Sequence, residues 1–243
     1  MKNKKVLLII PAYNEEKSIL TVYNNIKAYN KKHGTKFDII VINDGSTDDT
    51  ELILQKNKIK HIKLINNLGI GGAVQTGYKY AFEKKYDVAV QFDGDNQHDV
   101  NYISKLIKPI IDMQANMVVG SRFVNDSTSK FKSSFFRRIG IHIISKVIKF
   151  KTGKVIYDTT SGFRAVDMYT LKLFANSYPV EYPEPISTVE AIKNGMNVVE
   201  VGVCMNERLG GTSSIKSWKS AYYMVNVILS ILLSEKRRKK NVR

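Results

Sequence analysis

Three short acidic stretches each follow an apolar run. Glu15 comes after Val6-Leu7-Leu8-Ile9-Ile10 and Pro11, Asp44 after Phe37–Ile42, and Asp93 with Asp95 after Asp87–Phe92. In Phe92-Asp93-Gly94-Asp95-Asn96-Gln97-His98, two carboxylates stand one residue apart in a turn that Gly94 opens. Such a pair can approach one hard divalent cation, Mg²⁺ or Mn²⁺, which takes oxygen ligands and is commonly shared between carboxylates and substrate phosphates. Its chemistry there would be to neutralise charge building on a departing diphosphate. An ordinary Asx turn after a strand is the structural alternative. His98 could serve as a base or as a structural group beside the turn.

The elements around these residues must bring them together. Val6–Ile10 is apolar at every position, the pattern of a strand buried on both faces of a parallel sheet. Phe37–Ile42, His61–Ile65, Asp87–Phe92 and Met117–Gly120 read as further strands. Helices are expected between them: from Asn14 as a cap to His33 with Gly34 as its stop, from Ser46-Thr47-Asp48-Asp49 onward, and from about Gly71 to Lys84. Alternation of this kind implies an α/β fold with a mostly parallel sheet and helices on both faces. Ligands of such sheets bind at the carboxyl ends of the strands, so the three acidic stretches should share one cleft. Gly69-Ile70-Gly71-Gly72 lacks the third glycine of a dinucleotide fingerprint, because position 74 is Val74; it reads as tight helix-start geometry. Val198–Val203 reads as a late strand and Ser217–Ser234 as a final helix.

Three motifs occur in order: Pro11-Ala12-Tyr13-Asn14-Glu15, Asn43-Asp44-Gly45-Ser46-Thr47-Asp48 and Asp93-Gly94-Asp95-Asn96-Gln97-His98. Together they resemble the family 2 glycosyltransferases, and within them the branch of dolichyl-phosphate mannose synthases and bacterial polyprenyl-phosphate glycosyltransferases. The resemblance runs from about residue 5 to residue 215 and implies a GT-A fold. By that resemblance Pro11, Tyr13 and Glu15 line a nucleoside pocket and Asp44 accepts a hydrogen bond from the base. Asp93 meets the ribose or the metal, and Asp95 with Gln97 holds the metal on the donor diphosphate. Gly120-Ser121-Arg122 is similar to a family segment whose arginine faces phosphate; a surface ion pair is the alternative for Arg122. Ser161-Gly162-Phe163 resembles a segment near the sugar. Asn206–Ser214 resembles a loop that closes over the phosphates through Arg208 and Ser213. Tyr182-Pro183-Glu184-Pro185 departs from the mannose synthases, which leaves the donor sugar open; Glu184 could bind sugar hydroxyls. The implied reaction inverts the anomeric carbon. Its partners would be a nucleotide sugar, UDP- or GDP-linked, and a polyprenyl phosphate, in the synthesis of cell-surface glycans. Addition of sugar to a lipid-linked glycan and an inactive membrane scaffold are the alternatives.

The bulk of the chain fits a membrane-surface enzyme. Its 243 residues carry 38 Lys and Arg against 22 Asp and Glu, a net charge of +16 that calls for a polyanionic partner. No recognition motif points to nucleic acid. Cys204 is the only cysteine, so no intrachain disulfide can form. Residues 1–5 are basic, but the apolar run behind them is too short for a signal-peptide core, and no stretch reaches the roughly 20 apolar residues of a membrane span. Residues 130–152 mix Phe131, Phe135, Phe136, Ile139, Ile143, Ile144 and Phe150 with Arg137, Arg138 and several lysines, as an amphipathic segment on an anionic membrane would. Ser220–Ser234 carries no charge and is followed by Lys236-Arg237-Arg238-Lys239-Lys240. The expected layout is a catalytic domain over 1–216 and a membrane-proximal helix with a basic tail over 217–243, peripheral or monotopic at the cytoplasmic face. That helix lies on the membrane, docks on a small membrane protein or another copy of the chain, or packs on the catalytic domain, the last being the less favoured reading.

Overall fold

The structure, a computed structural model, describes residues 4–124, 135–206 and 217–234, with side chains in the two helices that open the last two segments described from Arg138 and from Met224. Among these residues seven strands form one sheet: β1 (Val6–Ala12), β2 (Asp38–Asn43), β3 (His61–Lys63), β4 (Val88–Gln91), β5 (Met117–Ser121), β6 (Arg164–Asp167) and β7 (Val198–Gly202). Their order is β3-β2-β1-β4-β6-β5-β7. Every pairing is parallel except those of β6, which runs antiparallel to β4 and to β5. All seven residues of β1 are buried, as expected of a strand with helices above and below.

Among the described residues eight α-helices cover the two faces: α1 (Ile19–His33), α2 (Thr50–Lys56), α3 (Gly69–Glu83), α4 (Ile103–Ile111), α5 (Phe135–Thr152), α6 (Met168–Asn176), α7 (Pro183–Lys193) and α8 (Ser217–Leu233). Alternate residues of β1 face different cores. Val6, Leu8 and Ile10 pack in the layer that includes Ile19, Val22 and Ile26 of α1 and Leu106 and Ile107 of α4. Leu7 and Ile9 pack with Val74 and Tyr78 of α3, Ile144 and Ile148 of α5, Phe174 of α6, Val189 of α7 and Val227 and Ile231 of α8.

Several boundaries differ from the sequence reading. Asn14 does not cap α1: it takes φ 56° and its Oδ1 accepts the Thr47 amide at 2.8 Å, while the helix begins after Ser18. Gly34 ends α1 in the left-handed region, as its position indicates. The expected five-residue third strand is three residues long. Strand β6 and helices α4, α6 and α7 were not anticipated; β6 is four residues opened by Arg164, with neither an apolar run nor a clean alternation to betray it.

The final helix packs on the catalytic domain, the reading that the sequence favoured less. Val227 and Ile231 are fully buried in the same core as β5 and β7. Lysines from two other helices satisfy its C-terminal carbonyls: Lys151 Nζ donates to Leu232 O, and Lys193 Nζ donates to Ser234 O at 2.7 Å. Cations belong at that end of a helix, where the backbone dipole is negative. Its other face stays in solvent, with Val225, Leu229, Leu232 and Leu233 exposed, as do Ile139, Ile143 and Phe150 of α5. Among the described residues no helix is long and apolar enough to cross a membrane. Ile231→Ala should cost about 2–5 kcal/mol of stability, because it empties a closed core site. Urea unfolding followed by far-ultraviolet circular dichroism checks it. An unchanged midpoint would mean that α8 is not part of the folded domain.

Candidate active site

The sheet changes direction at β1. Strands β2 and β3 lie on one side of it and β4 on the other, so the carboxyl ends of β1 and β4 flank the crevice where open α/β sheets bind ligands. The Asp93–His98 turn leaves β4 there and packs against the end of β1. A Cβ placed on Gly94 would come within 3.1 Å of Pro11 O and 3.6 Å of Glu15 Cγ. Two of the three acidic stretches are therefore in contact. The third, Asp44, follows β2 on the other side of β1.

The turn is built by its own side chains. Asp95 Oδ1 accepts the Gln97 amide at 3.0 Å, an Asx turn, and Asn96 takes φ 66°, which asparagine tolerates. Asp95 is 4% exposed, and Asp93 is partly exposed beside it. His98 is buried and stacks on Phe163 with ring centroids 4.6 Å apart. The Asp93 amide donates to His98 Nδ1 at 3.0 Å, and Nε2 lies 3.4 Å from Asp93 Oδ2. An amide can only donate, so Nδ1 is the acceptor and the ring proton sits on Nε2, facing the carboxylate. With its basic nitrogen occupied, His98 orients Asp93 and is not placed to act as a base.

The Ser161-Gly162-Phe163 segment meets this turn from the antiparallel side. A Cβ on Gly162 would stand 2.9 Å from Asp93 Oδ2 and 3.0 Å from Gln91 Nε2. Only glycine allows that approach. The chain beyond β7 closes the other edge: His98 forms an isolated bridge with Met205, and the Asn206 amide donates to Gln97 O at 2.8 Å. Arg208 and Ser213, the expected phosphate ligands, lie outside the described residues.

Other expected ligands have partners within the protein. Asp44 is 3% exposed and its Oδ1 accepts the Leu68 amide at 2.8 Å, tying β2 to the start of α3. Burial raises its pKa, opposed by the Leu68 and Gly69 amides. Sequence reasoning assigned this carboxylate to the base; its structural partner is backbone. Glu15 is partly buried and accepts from the Ser18 hydroxyl, while its amide donates to Thr50 Oγ1 at 2.9 Å. Pro11 is buried and Tyr13 is 47% exposed at the mouth of the crevice.

Arg122 makes an ion pair, though a buried one where the sequence alternative placed it at the surface. Its Nε donates to Asp158 Oδ2 and its Nη2 to Asp158 Oδ1, both at 2.7 Å, and Nη2 also reaches Thr160 Oγ1 at 3.0 Å. Both side chains of this pair are buried. A guanidinium fork matched to a carboxylate is a strong, directional contact, so this arginine braces the β5 end against the 158–160 segment. Glu200 continues the brace: its carboxylate accepts the Tyr157 and Asp158 amides at 2.7 Å each. Gly120-Ser121-Arg122 gave no hint of this because Asp158 is 36 residues away.

Metal ligation is consistent with the donor set. Among the described residues no group of three or more His, Cys, Asp and Glu side chains could hold an ion. A Mg²⁺ or Mn²⁺ ion needs fewer, since one or two carboxylates plus substrate phosphates are its usual environment. Asp93 and Asp95, with Gln97 alongside, match that pattern.

A carboxylate turn at the switch point, in a parallel sheet broken by one antiparallel strand, is the architecture of the GT-A glycosyltransferases. Solved structures agree: glucosyl-3-phosphoglycerate synthase from Mycobacterium tuberculosis, in complex with Mn²⁺, UDP and phosphoglyceric acid, superposes with a TM-score of 0.69 over 96% of this chain and 78% of that one, at 18% identity. The chain belongs to glycosyl transferase family 2, whose model matches residues 7–172, and it is a glycosyltransferase. It is similar to the UDP-N-acetylglucosamine–dolichyl-phosphate N-acetylglucosaminyltransferase of Methanococcus voltae, 35% identical over 222 residues that span 84% of this chain and 86% of that protein. It is also similar to the polyprenol monophosphomannose synthase of Mycolicibacterium smegmatis, 28% identical over 231 residues that span 87% and 81%.

Two outcomes follow from this geometry. Gly162→Ala should cut sugar transfer about tenfold or more, equivalent to about 1.4 kcal/mol of barrier, by displacing Asp93. Steady-state kinetics of the folded variant test it, and wild-type rates would refute the contact. Asp158→Ala should destabilise the protein by about 3–5 kcal/mol, because it leaves a buried arginine without its counter-charge. Urea unfolding reads that loss, and a loss of under about 1 kcal/mol, the range of a surface pair, would contradict it.

Proposed function

We propose that this enzyme transfers a hexose from a nucleoside-diphosphate donor to a polyprenyl phosphate, with inversion, at the cytoplasmic face of a cell membrane, in the synthesis of cell-surface glycans. The observation that carries the reading is the Asp93–Asp95 turn at the switch point, walled by Gly162. It offers carboxylates at the carboxyl end of β4, with the glycine segment packed directly against Asp93. The similar proteins from Methanococcus voltae and Mycolicibacterium smegmatis, whose names specify dolichyl phosphate and polyprenol monophosphomannose, support the acceptor class.

In this reading Tyr13 and Pro11 meet the nucleoside, and Asp44 shapes that pocket through the Leu68 amide. Asp93, Asp95 and Gln97 would hold Mg²⁺ or Mn²⁺ together with the donor diphosphate. When bound, the ion supplies positive charge against the leaving diphosphate. An oxygen of the acceptor phosphate attacks the anomeric carbon from the face opposite the diphosphate. The new carbon–oxygen bond forms as the bond to the diphosphate breaks, and the electron pair leaves on the nucleoside diphosphate. The attacking phosphate is already ionised, so no base is required, in keeping with His98 having its Nδ1 occupied. Because Asp158 compensates Arg122, the charge that offsets two crowded phosphates falls to Arg208, with Ser213 beside it. Preorganised charge of this kind is usually the largest catalytic contribution.

The exposed apolar residues of α5 and α8, with Arg138, Lys146 and Lys149 and the basic tail at 236–240, suit contact with an anionic leaflet. A small membrane protein or a second copy of the chain would fit the same surface.

The test is product analysis. Purified enzyme, a UDP- or GDP-hexose of α configuration and polyprenyl phosphate should give a β-linked polyprenyl-phosphate monosaccharide by NMR and mass. A chelator should abolish turnover and added Mg²⁺ or Mn²⁺ restore it. An α product would refute inversion, a diphosphate-linked or longer product would refute the acceptor, and full activity in chelator would refute the metal.

A further inference from the structure

Two loops at the carboxyl edge of the sheet are bonded to each other, and the mechanism above does not use those bonds. One loop, residues 13–18, joins β1 to α1; the other, residues 44–49, joins β2 to α2. The Asn14 amide donates to Ser46 Oγ at 3.0 Å, and Asn14 Oδ1 accepts the Thr47 amide at 2.8 Å. The Glu16 amide donates to Asp48 Oδ2 at 3.2 Å, and Glu16 Oε2 accepts the Asp49 amide at 3.1 Å. Between them the Glu15 amide donates to Thr50 Oγ1 at 2.9 Å, at the start of α2. The exchange is reciprocal: side chains of each loop satisfy backbone amides of the other. Short polar residues are needed for it, because only they reach a neighbouring backbone from so close.

The clasp has a firm base. The Ser46 amide donates to Oδ1 of the fully buried Asn43 at 3.0 Å, and Asn43 Nδ2 donates to Glu51 Oε2 at 2.7 Å. A Cβ on Gly45 would stand 2.9 Å from the Asn67 backbone nitrogen, so the 66–67 segment backs the second loop. Tyr13 is bracketed by this structure. On one side Ala12 pairs in register with Asn43, and its carbonyl accepts the Asp44 amide at 2.8 Å. On the other, the Asn14 amide shares a planar peptide group with the Tyr13 carbonyl, so Ser46 Oγ fixes that plane. The left-handed φ of 56° at Asn14, which asparagine tolerates, completes the turn. The Tyr13 backbone is held on both sides, yet its ring is 47% exposed and stacks on no other ring among the described residues. An aromatic mounted in this way has its ordering cost met before any ligand arrives.

We propose that Asn14 is a positioning residue for the donor: clasped to Ser46 and Thr47, it sets the Tyr13 backbone so that the ring stands ready for the flat face of the nucleoside base. The assignment rests on the nucleotide-sugar reading of the site. Asn14 acts through Tyr13 and touches neither the diphosphate nor the sugar. Loosening the clasp would leave the ring to be ordered at each binding event, which weakens nucleotide binding in the ground state and the transition state alike. Such a loss raises KM and leaves kcat at saturating donor unchanged.

Calorimetric titration of UDP and of GDP, each with Mn²⁺, tests the proposal on wild type, Asn14→Gly, Ser46→Ala, Tyr13→Ala and the double variant of Tyr13→Ala with Asn14→Gly. Glycine accepts the φ of 56° without strain and removes only the clasping side chain. Asn14→Gly and Ser46→Ala should each raise the Kd of the nucleotide that wild type binds about 3- to 10-fold, the factor that one intramolecular hydrogen bond carries. KM for the matching nucleotide sugar should rise in step, with kcat changed less than about twofold. In the Tyr13→Ala background Asn14→Gly should add less than about twofold, because no ring remains to be positioned. Circular dichroism melts establish that each variant is folded at the assay temperature; a role in folding alone would lower the melting temperature and leave Kd as in wild type. If Asn14→Gly and Ser46→Ala both keep the wild-type Kd, or if Asn14→Gly costs the same factor with and without the Tyr13 ring, the assignment is overturned while the transferase reading stands. If wild type binds neither UDP nor GDP, the nucleotide-sugar reading fails and this assignment falls with it.

Discussion

The tightest constraint in the molecule is the approach of three backbone segments around Asp93. The end of β1 touches Gly94, the entry to β6 touches Asp93 through Gly162, and the stretch after β7 bonds to Gln97. None of these segments is near another in sequence. Each contact is a close approach or uses a backbone group, so the turn is held from three sides. Placing a carboxylate within a few tenths of an ångström matters where charge must be stabilised as it develops, because a preorganised site spends nothing on rearrangement during the reaction. The sheet order serves the same end. The antiparallel β6 delivers the glycine wall to the carboxyl end of β4 from the opposite direction, which a parallel strand in that slot would not do.

Much of this was legible in the sequence, for identifiable reasons. The parallel strands announce themselves because they are buried on both faces and carry unbroken apolar runs, as β1 and β2 do. The acidic turn is visible because its chemistry is local: Asp93, Asp95 and Gln97 act within five residues. The β6 strand was not legible. It opens with a buried arginine and closes with Asp167, whose side chain caps α6, so its pattern resembles a loop. Arg122 stayed ambiguous in the sequence for a related reason. Nothing in its neighbourhood shows that a buried carboxylate 36 residues on takes its guanidinium, and a free arginine and a paired one have the same local sequence. The Leu68 amide held by Asp44 Oδ1 was equally invisible, since a backbone partner leaves no mark on residue type.

The last helix illustrates how composition misleads about context. A run of uncharged residues followed by a basic cluster has the profile of a membrane anchor. In the folded protein one stripe of that run is core, at Val227 and Ile231, and two lysines from α5 and α7 close its end. Only the remaining stripe faces outward. Hydrophobicity summed along the helix cannot distinguish an element with two apolar faces, one for the domain and one for a surface, from an element that is apolar all round. The distinction decides whether losing α8 removes an anchor or damages the fold.

The two buried arginines divide the electrostatic work of the site. Arg122 is neutralised by Asp158 in a two-point contact, and Glu200 fixes Asp158 through its own amide. That unit is saturated and its net charge is small, so it serves as a brace. Arg164 spends two of its nitrogens on a carbonyl and a hydroxyl, neither of which carries charge, and its Nη2 has no hydrogen-bond partner among the described residues. A lysine could not hold β6 and α7 together in this way, because it has one nitrogen where the guanidinium presents three in a plane. A buried cation without a full counter-charge costs stability. Against that cost, one side chain ties the entry of β6 to the first turn of α7, elements that no strand pairing joins.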